Sequence, residues 1–498
     1  MPPVTDRLAG LEPAAFWRHF EALTRIPRAS HEEDRAVAHV EAWASGRGFS
    51  AARDGAGNLV VRVPAVAGRE SEPVVILQGH LDMVCEREPD SPNDPRAGRI
   101  ELVRDGEWLR AKGTTLGADD GVAIAAMMAI AEDPGVEHGP LELLMTVAEE
   151  VGLAGAAALD PDLISGSVLL NLDSEEDGTF TVGCAGGADT LVRVRASRAP
   201  VDGPWASVTV SGALGGHSGG DIALGRANAI KVLARALRAA PGVRIAALEG
   251  GASRNAIPRD ATALVAADAD ARAAIEREAA RIQQAYLTTD PGLRIAIHAA
   301  AGSGAAVADD DSSLDAAVQA AATDAWSEHD SARILDLIAI LPSGPLAMSV
   351  GFPGVVETSS SLGVVATEGG TLTLRSLSRS ADDAALPDVL AAISGAARLA
   401  GAEYELGANY PGWRPDLDSP VLLTAKAVHE RLFGAAPHVT LTHGGLEAAI
   451  IAAKRPGIDP ISFGPEIQGP HAPGERLHLG SAERFMRLLA ALLDELTR

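Results

Sequence analysis

The chain has 498 residues, of which 47% are hydrophobic and only 3% aromatic, so we expect two or three domains with cores of Leu, Val, Ile and Ala. Its 67 acidic residues against 42 basic ones give a net charge of −25, which argues against nucleic acid and anionic lipid as partners, because both bind clustered Lys and Arg. The two cysteines have no CxxC spacing, and the first segment has no signal-peptide pattern. The longest apolar runs are about half as long as a membrane span. These features indicate a cytoplasmic protein with no membrane partner.

The first part of the chain alternates the patterns of helices and strands, which is typical of an α/β architecture. Ser30 and Glu33 have the spacing of a capping box, which predicts the start of an amphipathic helix over 35–43. Beyond it, one wholly apolar run predicts a buried helix, and three shorter, mostly apolar segments predict buried strands. The helix covers 122–131, and the strands cover 74–78, 141–147 and 168–172.

The middle of the chain has the pattern of a separate α+β unit. We predict strands over 206–210, 262–267 and 371–376, helices over 227–239 and 272–284, and a glycine-rich turn over 212–220. After about residue 400 the α/β pattern returns, with helices over 421–433 and 482–497 and a strand over 461–463. The sequence therefore predicts one domain, 1–187 and 400–498, that is interrupted by a second, 188–399.

Acidic and histidine side chains follow the predicted strands at the points where they end. They are His80 and Asp82, Asp119 and Asp120, Glu149 and Glu150, Asp173, and His471. Because ligands bind beyond the carboxyl ends of strands in open α/β sheets, we expect these side chains to meet in one crevice. So many carboxylates would repel one another and raise one another's pKa, and two divalent cations would remove that repulsion.

Imidazole and carboxylate ligands without thiolate favour zinc, and cobalt or manganese fit the same set. The charges of two zinc ions balance three carboxylate ligands and one bridging hydroxide. Two metals about 3.5–4 Å apart lower the pKa of a shared water and polarise a scissile carbonyl. Glu149 can then act as a base, and Asp82 can hydrogen-bond His80 and fix its tautomer. Each residue alone has an ordinary alternative as a turn, cap or surface residue; the joint pattern indicates a metal site.

A series of motifs extends from about residue 75 to residue 475: ILQGHLDMV, GTTLGADDG, VAEEVGLAGA, NLDSEEDG, GCAGG, GGHSGGDI, RNAIP, ETSSSLG, YPGW, HGGLE and ISFGPEIQGPH. In these motifs the chain resembles the zinc-dependent dipeptidase and deacylase superfamily, and within it the bacterial aminoacyl-histidine (Xaa-His) dipeptidases. The resemblance implies a di-zinc catalytic domain with a mixed sheet flanked by helices. It also implies that the interrupting α+β domain is a lid, and that two chains associate through this domain as a homodimer.

The resemblance assigns roles to the residues at the strand ends. It implies one zinc held by His80, Asp119 and Asp173, and a second held by Asp119, Glu150 and His471. Glu149 would be the general base that later passes its proton to the leaving amine, and Asp82 would orient His80. The peptide bond between Asp119 and Asp120 would be cis.

The resemblance also implies residues that act on the substrate. His217, in a glycine-rich loop, would stabilise the oxyanion of the tetrahedral intermediate, often from a second subunit; the alternative is a surface histidine. Asn255 and Arg379 would bind the main chain and carboxylate of the substrate, or have structural roles. His443 and Glu447 would lie on a substrate-facing loop, with the same structural alternative.

Two residues depart from the pattern of the family, which often has Asn where this chain has Asp120 and Ser361. Asp120 could add charge beside the metals, and Ser361 bears on substrate contact; neither removes a ligand or the base.

The expected function is hydrolysis of dipeptides, Xaa-His and broader, by a hydroxide that bridges the two metals, with Glu149 as general base. The expected partner is a small peptide substrate. One alternative is an N-acyl-amino-acid deacylase or carboxypeptidase of the same superfamily, in which the same metals and base would serve. Another is a metal-binding regulatory protein that has lost catalysis.

Overall fold

The computed structural model describes residues 7–300, 324–368, 370–382 and 384–496. The chain forms two compact units: the first comprises Met1–Cys184, Trp413–Leu441 and Leu446–Arg498, and the second comprises Ala185–Gly412 and Thr442–Gly445. The chain thus passes between units after Cys184 and after Gly412, where the predicted boundaries follow residues 187 and 399. The second difference has a physical reason, since the strand Glu403–Tyr410 pairs with Gly186–Arg195 in the second unit's sheet.

The described part of the first unit contains an eight-stranded mixed sheet. In order across the sheet, its strands are Ser50–Arg53, Leu59–Val63, Leu141–Thr146, Val75–His80, Val168–Asn171, Asp459–Ser462, Thr179–Cys184 and His438–Thr442. The strand Val75–His80 pairs in parallel with Leu141–Thr146 on one side and with Val168–Asn171 on the other. Both Val75–His80 and Leu141–Thr146 are buried along their whole length, as expected for parallel strands that are covered on both faces.

The described residues of the first unit also form α-helices and a small second sheet. The helices are Ala14–Leu23, Asp34–Arg47, Ala118–Glu132, Ala154–Ala158, Pro420–Phe433, Glu447–Lys454 and Leu479–Leu496. The strands of the small sheet are Ile467–Gln468, Arg476–His478, Trp108–Ala111 and Leu102–Asp105. Thr497, the predicted end of the last helix, lies outside the described residues. No helix in the described ranges is both long enough and apolar enough to cross a membrane.

The helix Ala118–Glu132 brings acidic side chains to the carboxyl edge of the large sheet. It is apolar on all sides and almost completely buried, which is typical of a helix inside a core. Asp119 and Asp120, in its first turn, have non-helical backbone angles. The helix contacts both the helix Ala14–Leu23 and the strand Val75–His80.

The second unit is an α+β unit built on a nine-stranded sheet within the described residues. Its strands, in order, are Arg294–Ala300, Trp205–Ser211, Ala261–Ala266, Arg244–Gly250, Val356–Glu368, Thr371–Ser380, Gly186–Arg195 and Glu403–Tyr410, with Gly344–Met348 paired to Val356–Glu368. The helices Ala229–Arg238, Ala269–Ala285, Glu328–Ile340 and Ala385–Leu399 contact this sheet. An α/β first unit interrupted by an α+β unit confirms the predicted fold class.

Two short strand pairs lie beside the nine-stranded sheet. Arg198–Pro200 pairs with Asp324–Trp326, and Gly216–His217 pairs with Ala256–Ile257. The strand Gly216–His217 lies within the predicted glycine-rich turn.

The predicted capping box is wrong. The helix Asp34–Arg47 has Glu33 at its N-cap, and no side-chain cap bond forms there. Ser30 Oγ donates instead to Asp82 Oδ2 (2.8 Å), and Glu33 Oε1 accepts from the backbone amide of Ala148 (2.9 Å). Both side chains therefore support loops at the carboxyl edge of the sheet, where tertiary contacts replace the local cap.

Glu132 contacts a buried histidine that is held neutral and two partly exposed arginines. His19 Nε2 lies 2.7 Å from Glu132 Oε1, and both Arg18 and Arg47 pair with the same carboxylate. Because two guanidinium groups already neutralise Glu132, burial of a further charge is unfavourable. Burial, with Arg18 close by, lowers the pKa of His19 from 6.5 to about 3.

We expect the free energy of unfolding to fall as the pH drops below about 6.5, because the unfolded chain binds a proton at His19 that the folded chain does not. The contribution is up to about 1.4 kcal/mol per pH unit. His19→Gln keeps a donor for Glu132 and should remove this part of the slope, which thermal unfolding at several pH values from 5 to 8 would measure. Exposed His329→Gln is the control. A difference between wild type and His19→Gln that stays constant over this range would contradict the prediction.

Candidate metal centre

Three of the loops that carry predicted ligands leave neighbouring parallel strands at the same edge of the sheet. Val75–His80 ends at His80 itself, Leu141–Thr146 leads into the loop of Glu149 and Glu150, and Val168–Asn171 leads into Asp173. Asp119 reaches this edge from the first turn of its helix, and His471 follows the short strand Ile467–Gln468. The chain thus delivers all of these residues to the edge where α/β sheets bind ligands.

Asp119 lies between two imidazoles. His80 Nε2 is 2.9 Å from Asp119 Oδ1 and 3.6 Å from Asp173 Oδ1. His471 Nε2 is 3.0 Å from Asp119 Oδ2 and 3.0 Å from Glu150 Oε2. These residues form two groups of three that share Asp119, each with ligand atoms within 4.8 Å of one another. The structure therefore brings together the five side chains that were expected to hold metals.

Glu149 lies at the margin of these groups. Its Oε2 is 4.0 Å from His80 Nε2, and its side chain is 18% exposed. With His80 and Glu150 it forms a third group that could hold a metal ion. Glu150 belongs to two of the three groups, and its buried Oε1 has no hydrogen-bond partner among the described residues. The peptide bond between Asp119 and Asp120 is cis, as the resemblance implied.

Asp82 is fully buried and binds the loop of both glutamates. Its Oδ1 accepts from the backbone amide of Glu149 (3.0 Å), and its Oδ2 accepts from the amide of Glu150 (3.1 Å) and from Ser30 Oγ. His80 Nδ1 lies 3.4 Å from Asp82 Oδ1 and 3.2 Å from its carbonyl oxygen. Although burial opposes the charge, His80 and these donors lower the pKa of Asp82 to about 2. Ser30 was not predicted here, because its sequence pattern is that of a helix cap.

The charges around Asp119 favour a bound cation. Hydrogen bonds to Asp119 and Glu150 raise the pKa of His471 to about 11. Burial, together with Asp119 and Glu150, raises the pKa of Asp173 to about 6, although His80 opposes this. The side chains thus attract positive charge strongly, and their imidazole nitrogens and carboxylate oxygens are the ligands that zinc and similar divalent ions bind. The buried oxygen of Glu150 that has no hydrogen-bond partner among the described residues is also available to bind such an ion.

Asp120 supports His80 from the interior. It is 1% exposed, and its Oδ2 accepts from the backbone amide of His80 (3.1 Å). A Cβ atom at Gly79 would lie 2.3 Å from this oxygen, so glycine is required before His80. Burial raises the pKa of Asp120 well above its ordinary value.

Glu447 was expected on a substrate-facing loop, and its position is a correction to that expectation. Its side chain is fully buried in the first unit, where its Oε2 accepts from Gln78 Nε2 (2.7 Å) and from Thr146 Oγ1. The helix Glu447–Lys454 begins at this residue and turns its carboxyl group into the core. Burial raises the pKa of Glu447 to about 7.

The second unit brings the other predicted residues close together. His217 lies on a short strand paired with the residues that follow Asn255, and the amide of Ser218 donates to the carbonyl of Asn255 (2.7 Å). Arg379 is buried; its Nη2 is 3.5 Å from His217 Nε2, and its Nη1 donates to the hydroxyl oxygen of Tyr410 (2.8 Å).

His443 belongs to the same cluster. Its Nε2 lies 2.7 Å from Ser359 Oγ, and Ser359 is the strand partner of Arg379. Burial, with Arg379 nearby, lowers the pKa of His443 to about 4 and also lowers that of His217. Both imidazoles are therefore neutral at pH 7, and each can donate one hydrogen bond.

The serine and tyrosine of this cluster were not predicted as site residues. Tyr410 and Ser359 lie within YPGW and ETSSSLG, so the motifs themselves were the available signal. Ser361, which departs from the family pattern, is buried, and its hydroxyl has no partner among the residues that the structure describes.

The chain is similar to known proteins over nearly its whole length. The profile of peptidase family M20/M25/M40 matches residues 76–495. The sequence is 35% identical over 498 residues to the cytosol non-specific dipeptidase of Escherichia coli (strain K12), and the match covers 99% of each chain. The crystal structure of aminoacylhistidine dipeptidase from Vibrio alginolyticus is 33% identical and superposes with a TM-score of 0.85 over 99% of each chain. Aminopeptidase PepT from Bacillus cereus, 17% identical, shares the fold with a TM-score of 0.57 over 98% of this chain and 100% of that chain. The chain belongs to peptidase family M20/M25/M40.

Proposed function

We propose that this protein is a cytoplasmic two-metal dipeptidase that hydrolyses Xaa-His and other dipeptides, with Glu149 as general base. One observation carries the proposal: Asp119 directs one oxygen to each of two imidazoles and is common to two groups of metal-ligating side chains. Membership of a peptidase family and full-length identity to a dipeptidase support it.

The proposed ligand sets share the central aspartate. His80, Asp119 and Asp173 would hold one ion, and Asp119, Glu150 and His471 would hold the other. Zinc is the proposed metal, and cobalt and manganese suit the same oxygen and nitrogen donors. A pair of divalent ions would activate a water molecule and polarise the scissile carbonyl.

Glu149 would take the proton of the attacking water and pass it to the leaving amine. Burial raises the pKa of Glu149 well above its ordinary value, so its carboxylate accepts a proton more readily than an exposed one does. Asp82 accepts hydrogen bonds from the amides of Glu149 and Glu150, so it keeps the base on a fixed loop.

Residues of the second unit would recognise the substrate. We propose that neutral His217 donates a hydrogen bond to the oxyanion of the tetrahedral intermediate. Asn255 and Arg379 would bind the main chain and carboxylate of the dipeptide, and His443 would support this cluster through Ser359. The second unit would act as a lid and join two copies of the chain in a homodimer, which light scattering would detect as twice the mass of one chain.

A substrate panel tests the proposal. Carnosine, Ala-His, Gly-Leu, a tripeptide and an N-acetyl amino acid are offered to zinc-loaded protein, to protein stripped by a chelator, and to stripped protein after zinc, cobalt or manganese is returned. We expect dipeptides to be hydrolysed fastest, activity to disappear with the metal, and zinc to restore it.

Other results would assign a different function. Preference for the acetylated substrate would indicate a deacylase, and release of the last residue from longer peptides would indicate a carboxypeptidase. If zinc-loaded protein hydrolyses no member of the panel, the regulatory alternative replaces the proposal.

A further inference from the structure

The turn that carries Asp119 is held by one buried carboxylate. Glu475 is 2% exposed, and each of its oxygens accepts hydrogen bonds from two backbone amides. Its Oε2 accepts from Leu116 (2.7 Å) and Gly117 (2.9 Å), and its Oε1 accepts from Ala118 (2.7 Å) and Asp119 (3.3 Å). Four consecutive amides at the start of a helix thus share one partner, and the charge of this partner strengthens each bond.

Arg28 binds a backbone carbonyl group of the same turn. The side chain is buried, and its Nη2 donates to the carbonyl oxygen of Gly117 (2.6 Å). Its Nη1 donates to the carbonyls of Leu81 (3.0 Å) and Asp82 (2.8 Å), so it also joins this turn to the loop after His80. Gly117 has a φ of +70°, and a Cβ atom there would lie 2.6 Å from Arg28 Nη2. The turn therefore fits between an anion and a cation only with glycine at this position.

Glu475 also connects two distant parts of the chain. It lies four residues after His471, within one loop whose end is closed by a hydrogen bond from the amide of Glu475 to the carbonyl of Ala472 (3.1 Å). The side chain of His471 is 52% exposed, so packing contributes little to its position. The same loop therefore presents His471 to Asp119 and is attached to the turn of Asp119.

We propose that Glu475 is a positioning residue that sets the separation between Asp119 and His471, and so controls the affinity of the metal site to which both contribute. This inference rests on the proposed function, because it takes these two side chains as ligands. Loss of the attachment would affect the site of Asp119, Glu150 and His471 most, since two of its three ligands would move. The site of His80, Asp119 and Asp173 would keep two of its ligands in place.

Glu475→Gln tests the inference with little change in shape. Its amide group would direct N–H donors at backbone N–H donors, so about half of the attachment would be lost. Stripped protein is titrated with zinc against a chromophoric chelator, and we expect one of the two binding steps to weaken by about 10- to 100-fold. Because Glu475 does not touch the reacting atoms, excess zinc should restore kcat.

Glu142→Gln is the matched control. Glu142 is also 2% exposed in the first unit, and its carboxylate accepts from the amides of Ser165 (2.7 Å) and Gly166 (3.0 Å). It lies near the start of the strand Leu141–Thr146, whereas the metal ligands follow strand ends. We expect this variant to melt at a lower temperature, as Glu475→Gln should, but to bind both zinc ions as the wild type does.

The possible results separate this inference from the proposed function. Unchanged zinc affinity in Glu475→Gln, with a wild type that binds two zinc ions and hydrolyses dipeptides, would overturn the inference and leave the function standing. Equal losses in Glu475→Gln and Glu142→Gln would also overturn it, because the effect would then be a general loss of stability. A wild type that binds none of zinc, cobalt and manganese would refute the proposed function itself. If Glu475→Gln does not fold, the shorter Glu475→Asp replaces it in the same titration and is judged by the same outcomes.

Discussion

Glu149→Gln is expected to lower kcat by about 10²–10⁴-fold while the protein keeps its full metal content. Glutamine has the size of glutamate, but its amide cannot take a proton from water. The proposed ligands are unchanged, so the metals should stay. Steady-state kinetics on Ala-His, with metal content measured by atomic emission on the same sample, would give both quantities.

A matched control for this experiment is Glu176→Gln, the same change at an exposed glutamate near Asp173. Its kcat should equal that of the wild type. Near-normal turnover by Glu149→Gln would exclude Glu149 as the base. Loss of a metal from Glu149→Gln would instead identify Glu149 as a metal ligand. That result would point to the group that Glu149 forms with His80 and Glu150.

Asp119→Ala is expected to lose at least one metal per chain and nearly all activity, because Asp119 belongs to both proposed ligand sets. Asp173→Ala is the informative comparison, since Asp173 belongs to one set only and its removal should leave the other ion bound. Atomic emission after dialysis would measure both variants. Two ions retained by Asp119→Ala would show that the aspartate is not shared.

The residues at the strand ends could be predicted because the local pattern is strong. Each of the three buried strands is a short, mostly apolar segment, and an acid or a histidine follows each one within two residues. The structure brings His80, Asp119 and Asp173 within reach of one another from three separate segments. Parallel pairing of neighbouring strands, which places their carboxyl ends at one edge, is the physical reason that this inference works.

The supporting residues could not be predicted in the same way, since their partners are distant in sequence. Glu475 and Gly117 are 358 positions apart, and no local pattern marks a carboxylate that binds backbone amides. Ser30 has the local pattern of a helix cap, but its hydroxyl bonds Asp82. Glu447 has a suggestive motif, yet the way its helix packs decides that its carboxyl group faces the core.

The positions of the ligands along the chain determine the order in which the two proposed ligand sets are synthesised. His80, Asp119 and Asp173 all precede the second unit in the chain, whereas His471 and Glu475 are translated after it. A nascent polypeptide would therefore contain all three residues of the first set before His471 of the second set has been added. The second set of donors would be complete only after the C-terminal segment has been synthesised.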